Sequence, residues 1–195
     1  PGEALIYNNF AYVFLGLIIE KVTGQSYEDY LKETFFKPLG MNSTSYGSHI
    51  EVTKNKVNGY RYNSLGLQQK NYLNYNLLFS AGALSSTAQD LLIWMKALHQ
   101  GKILSAASYQ SMITPTQLND GSTTQHAKGL VNYLDFGNDK IGHTGGFSGF
   151  LTDTRYYPEE DLYIICLLNT RGGPKNGDSF TDPITWQLLD KKIPK

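Results

Sequence analysis

Apolar residues recur at Phe10, Val13, Phe14, Leu17, Ile18 and Val22, the three-to-four spacing of a helix. Asn9 is placed to cap its start and Gly24 its end. Ala11, Leu15 and Ile19 make the other side apolar too, which predicts a helix buried nearly all round. A second helix opens at Ser26, where Asp29 completes a Ser-x-x-Asp capping pattern. It turns Leu31, Phe35 and Phe36 to one side and stops at Pro38-Leu39-Gly40. Thr87 caps a third helix, Ala88 to Gln100, with Asp90 in its first turn and Gly101 at its stop. A shorter one is expected from Ser105 to Ile113, ahead of Pro115. Residues 42–80 are rich in Asn, Ser, Gly and Tyr and read as long loops with short strands, followed by a small-residue turn at 81–86.

After residue 126 the period changes to two, with continuous apolar runs. Gly129–Phe136, Lys140–Thr144, Phe150–Tyr157 and Leu162–Asn169 read as four strands, with a turn at Pro158-Glu159-Glu160-Asp161 between the last two. Asp182-Pro183 opens a last helix to about Asp190. Helices first and an antiparallel sheet afterwards indicate an α+β chain. Residues 1–125 are expected to form a helical subdomain with loops, and residues 126–195 an antiparallel sheet portion with a C-terminal helix.

Composition narrows the function. The 195 residues are 41% apolar and 17% charged, with zero net charge, which fits a globular domain and argues against nucleic acid as a partner. No polybasic run points to anionic lipid. The longest apolar stretch, Phe10 to Ile19, is about half of what a membrane span needs, so no transmembrane segment is expected. Cys166 is the only cysteine and lies in an apolar strand, where it reads as a core thiol. His49, His99 and His126 lack metal-ligand spacing, and no metal or other cofactor is expected. His99, near a helix C-terminus, is placed where positive charge is favourable. Arg155, Arg171 and the Asp residues of the last strands belong to no motif and read as surface charges.

Two short patterns carry chemistry. Tyr7-Asn8-Asn9 precedes the first helix, and His143-Thr144-Gly145-Gly146 closes a predicted strand. Alone, each is unspecific: a half-buried tyrosine, a helix cap, a glycine turn. Together with Pro1-Gly2, the stretch Gly16 to Gly24, Phe36-x-Pro38-Leu39-Gly40-Met41-x-x-Thr44 and Ala81-Gly82-Ala83-Leu84-Ser85-Ser86-Thr87-x-x-Asp90-Leu91, they resemble the serine β-lactamase and penicillin-binding-protein family. The likeness is nearest to class C β-lactamases, D,D-carboxypeptidases and family VIII-type esterases, and runs in order from residue 1 to about 170.

The resemblance implies a β-lactamase/transpeptidase-like fold and an acyl-enzyme mechanism on an ester, a β-lactam or a D-Ala-D-Ala-type amide. Tyr7 takes the place of the family's general base. A tyrosine ordinarily ionises near pH 10, so the base needs cations beside it. Asn9 would hold the substrate amide and the catalytic lysine. His143 would act as a cation or a proton relay where many class C enzymes have lysine. Thr144 would bind a substrate carboxylate or carbonyl. Gly145 and Gly146 would let substrate lie against the strand, with the Gly146 N–H as one oxyanion donor.

The family's Ser-x-x-Lys is absent from these residues. The expectation is therefore a chain that begins inside the helical subdomain, lacks the N-terminal strands and nucleophile helix, and is inactive alone. Its partners would be a small-molecule or peptide substrate and the missing N-terminal segment of the same protein. Export to the periplasm, the cell surface or the medium is implied by the family alone. The alternative is a catalytically inactive relative used for binding or cell-wall recognition.

Overall fold

The computed structural model describes residues 1–47, 56–70, 77–135, 137–172 and 181–189. The expectations for His49, for Phe136 as a strand end and for Asp190 as a helix end lie outside these residues. The chain divides into two compact units, one of residues 1–55, 73–109 and 117–122, the other of 56–72, 110–116 and 123–195.

In the first unit, α1 (Asn9–Thr23) begins at Asn9 itself, one residue earlier than a cap at Asn9 implies. Asn8 is the cap: its side-chain oxygen accepts from the Phe10 N–H at 2.9 Å. Gly24 ends the helix with φ +70°, a left-handed turn that glycine adopts without strain. The expected all-round burial is not found. Gly16 is the one buried residue of α1, while Phe10, Phe14 and Val22 are 72%, 62% and 79% exposed. Apolar periodicity reports which faces want cover, and within this unit one narrow face receives it. There the helix meets the 3-10 turn Phe79–Ala81 so closely that a Cβ on Gly16 would lie 2.1 Å from Ser80 Oγ. Ser80 Oγ in turn donates to the Tyr12 carbonyl at 2.7 Å.

The second helical segment has its predicted capping box. Ser26 caps α2 (Tyr27–Leu31) by accepting from the Asp29 N–H at 3.0 Å, and its hydroxyl donates to the Asp29 carboxylate. The helix widens into a π-helical turn, Lys32–Phe36, tightens into α3 (Lys37–Leu39), and stops at Gly40 with φ +74°. Buried Tyr27 packs on the rings of Tyr46 and Phe79. Strand β1 (Ser45–Tyr46) pairs later with β4 (Leu84–Ser85). Thr87 caps α4 (Ala88–His99), as predicted. Asp90 does more than favour the helix start. Its buried carboxylate accepts from the Ser43 N–H and the Thr44 hydroxyl, both at 2.8 Å, tying that segment to α4. The following helix, α5 (Ala106–Ile113), is also where the spacing puts it.

His99 departs from its expectation. Its Nδ1 lies 2.7 Å from the Tyr109 hydroxyl, and burial lowers its pKa from 6.5 to about 4. The ring is neutral near pH 7, because desolvation outweighs the favourable helix end.

In the second unit, β5 (Val131–Asp135), β6 (Asn138–Phe147), β7 (Phe150–Tyr157) and β8 (Leu162–Leu168) form an antiparallel sheet in that order. A smaller sheet joins β2 (Tyr60–Asn63) to β3 (Gly66–Gln69) on one side and, in parallel, to β9 (Thr170–Arg171) on the other. Strand β6 is longer than predicted: it runs through both glycines, and the hairpin turn falls at Ser148-Gly149.

The charged residues of the last strands are not all on the surface. Alternate residues of β7 are buried, so Asp153 and Arg155 share the inner face and are 2% and 3% exposed. Arg155 Nε donates to Asp153 at 2.9 Å and Nη2 to Asp182 at 2.7 Å, while Nη1 reaches Thr185 Oγ1 at 3.2 Å. Thr181 Oγ1 donates to the same Asp153 carboxylate. Burial works against the charged guanidinium, but Asp153 and Asp182 outweigh it and hold its pKa above the usual arginine value. This network fastens α6 (Asp182–Leu188) to the sheet. Cys166 is half-buried, and burial followed by the charge of Asp153 pushes its thiol pKa up, as suits a core position.

Candidate active site

The six residues singled out fall into two groups, one in each unit. Tyr7 and Asn9 share the entry to α1. Tyr7 stands one residue before the cap and is 61% exposed. It lies within electrostatic reach of Tyr12, whose pKa is raised by burial first and by Tyr7 second. Asn9 is the first helical residue and is exposed. Because Asn8 does the capping, the Asn9 amide has no such duty, and it can both donate and accept.

His143, Thr144, Gly145 and Gly146 are consecutive in β6. On one side they pair with β7, opposite Thr154, Asp153, Thr152 and Leu151 in turn. On the other side β5 stops at Val131, opposite Gly142, and no described strand pairs with β6 beyond that point. The motif therefore occupies the part of the strand that overruns its neighbour.

Side chains alternate along this stretch. His143 is half-buried. Its Nδ1 lies 2.5 Å from the Thr144 carbonyl, which only accepts, so Nδ1 carries hydrogen and a neutral ring has its lone pair on Nε2. The His143 carbonyl accepts from Thr154 Oγ1 at 3.1 Å, which fixes the strand at that residue. Thr144 and Gly146 are exposed.

The glycines differ in why they are needed. A Cβ on Gly142 would lie 1.9 Å from the Thr154 carbonyl oxygen, so that position demands glycine for strand approach alone. A Cβ on Gly145 would meet Thr152 Oγ1 at 2.5 Å. On Gly146 it would meet Leu151 at 3.3 Å and the Arg171 guanidinium at 3.5 Å, contacts that nearly allow a side chain. Gly146 is therefore small without a strong structural demand for it.

Arg171, which no motif marks, is exposed as a surface charge should be, and its guanidinium lies 3.5 Å from where a Cβ on Gly146 would stand. Among the described residues it forms no ion pair.

Comparison with known proteins gives a consistent result. Residues 1–182 match the family described as Beta-lactamase. Penicillin-binding protein 4* of Bacillus subtilis is 31% identical over 185 residues, covering 87% of this chain and 40% of that protein. Among solved structures, the octameric penicillin-binding protein homologue from Pyrococcus abyssi aligns with a TM-score of 0.81 and 30% identity, over 98% of this chain and 44% of that one. A D-amino acid amidase from Ochrobactrum anthropi SV3, complexed with L-phenylalanine amide, shares the fold with a TM-score of 0.82 at 23% identity, over 95% of this chain and 57% of that one. The chain spans less than half the length of the curated relatives it matches.

Proposed function

Because this chain belongs to the β-lactamase family, we propose that it supplies the base, the substrate clamp and half of the oxyanion hole of a serine hydrolase that works through an acyl-enzyme. The observation that carries the proposal is the overrun of β6. His143-Thr144-Gly145-Gly146 lies on a strand edge that no described strand covers, where an extended substrate can align its own amides with the backbone.

In this reading Tyr7 accepts the proton of a serine hydroxyl supplied by the rest of the protein. The serine oxygen bonds to the substrate carbonyl carbon, and the charge that forms on the carbonyl oxygen is met by the Gly146 N–H. One such donor typically contributes about 3 kcal/mol. The proton then passes to the leaving group as its bond to carbon breaks, and water later cleaves the ester. Asn9 orients the substrate amide, and His143, through Nε2, carries or relays a proton. Thr144 and Arg171, on the exposed side of the same stretch, favour a substrate with an acidic group there. That supports β-lactams and D-Ala-D-Ala-type amides over neutral esters.

The partner of the bare side of α1 would be the N-terminal segment that carries the serine. Relatives named as penicillin-binding proteins support export to the cell surface.

The test is intact mass before and after treatment with a penicillin and, separately, a fluorophosphonate. The full-length protein is expected to gain one adduct, and residues 1–195 alone none. Tyr7→Phe in the full-length protein should slow acylation about 100-fold or more, the usual contribution of a positioned base. An adduct on residues 1–195 alone would refute the assignment of the nucleophile. No adduct on the full-length protein would leave a binding module as the correct reading.

A further inference from the structure

The hairpin formed by β2 and β3 presents an apolar tip with a fixed shape. Leu65 sits in its turn and is 80% exposed. The cross-strand pair Tyr62 and Leu67 stands just behind, 45% and 58% exposed. The turn is held from within: Asn63 Oδ1 accepts from the Leu65 N–H at 2.9 Å, and Asn63 Nδ2 donates to Gln68 at 3.1 Å. Farther back come Arg61, paired with Gln68, and Lys70 at the base, where its N–H donates to the Gly59 carbonyl. Both cations are exposed, neither forms an ion pair among the described residues, and residues 57–70 contain no Asp or Glu.

Read from the tip inward, the order is leucine, tyrosine with leucine, then cations. The cross-strand pair lies about 7 Å behind the tip at the rise of a strand. A bilayer surface has the same order from inside out: hydrocarbon, the interface that tyrosine favours, then headgroups. We propose that this hairpin is a shallow docking point for an anionic lipid surface, reaching the roughly 5–10 Å of an interfacial element. The linear sequence holds no polybasic run. The fold makes the cationic part by setting Arg61 and Lys70 behind one apolar tip. Gly59 and Tyr60 lie against Ser148 and Gly149, so docking would bring the β6–β7 turn toward the membrane.

The experiment is cosedimentation of the full-length protein with vesicles of phosphatidylcholine plus phosphatidylglycerol, against phosphatidylcholine alone. Binding is expected to the mixed vesicles, to weaken with salt, and to be lost in the double variant L65S/L67S. Arg61→Gln or Lys70→Gln should each weaken it about fivefold. An environment-sensitive dye at Leu65→Cys, in a Cys166→Ser background, should shift to the blue when mixed vesicles are added. Equal binding to both vesicle types, or binding that survives L65S/L67S, would overturn the proposal. So would a dye already shielded before lipid is added, which would mean that the rest of the protein or a second copy covers the tip. An unchanged circular dichroism spectrum in L65S/L67S would separate lost docking from lost folding.

Discussion

At the scale of single residues, the most consequential side chain is Arg155, because its charge is almost wholly enclosed. Removing one partner of a buried ion pair costs about 3–5 kcal/mol, since the other charge is left without compensation. Arg155→Ala should therefore lower the urea midpoint sharply. Replacing Arg155 and Asp153 together with apolar residues of similar size should cost much less. His99 sets a pH dependence of the opposite origin. Its folded pKa of about 4 lies below the ordinary 6.5, so the unfolded chain binds the extra proton first as pH falls. Stability should therefore rise with pH between about 4 and 6.5, by about 1–2 kcal/mol once partial solvation of the ring is allowed for. Urea titrations over that range should show a shallower slope in His99→Gln than in the parent.

At the scale of elements, α1 is held by a contact that only glycine permits. Gly16→Ala places a methyl on Ser80 and the Phe79 ring, and should cost about 1–3 kcal/mol as overpacking. Ser80→Gly should restore part of that loss in thermal unfolding of the double variant. The caps at Ser26 and Thr87, the stops at Gly24 and Gly40, and strand β7 were legible because local spacing decides them. Asn8 and Asn9 offer the same side chain to one helix start, and spacing alone could not choose between them. The length of β6 was hidden because a Gly-Gly pair reads as a turn until a neighbouring strand is seen to need its bare backbone. Arg155 was misread for a related reason: alternation places it inside, but its cover, Thr181, Asp182 and Thr185, comes from a distant helix.

At the scale of the whole molecule, the residues that carry the family resemblance occupy a helix entry and a strand edge. The exposure of α1 was not legible, because periodicity states that a face is apolar and not what lies against it. Phe10, Phe14, Leu17, Ile18 and Val22 are all exposed apolar side chains of one helix, a surface that favours association. Residues 1–195 expressed alone should self-associate, with an apparent mass in light scattering that rises with concentration. Phe14→Asp with Ile18→Lys should suppress this. A concentration-independent mass of one chain would refute the expectation.

The Arg155 network also sets an order of events during synthesis. Strand β7 leaves the ribosome with Asp153 as its ally, yet Thr181, Asp182 and Thr185 emerge only after β8 is complete. Until then the sheet holds a cation with too few partners and has reason to stay loose. A chain that ends before Thr181 should therefore keep an unsettled strand beside its motif and be cut faster by an added protease than one that reaches α6.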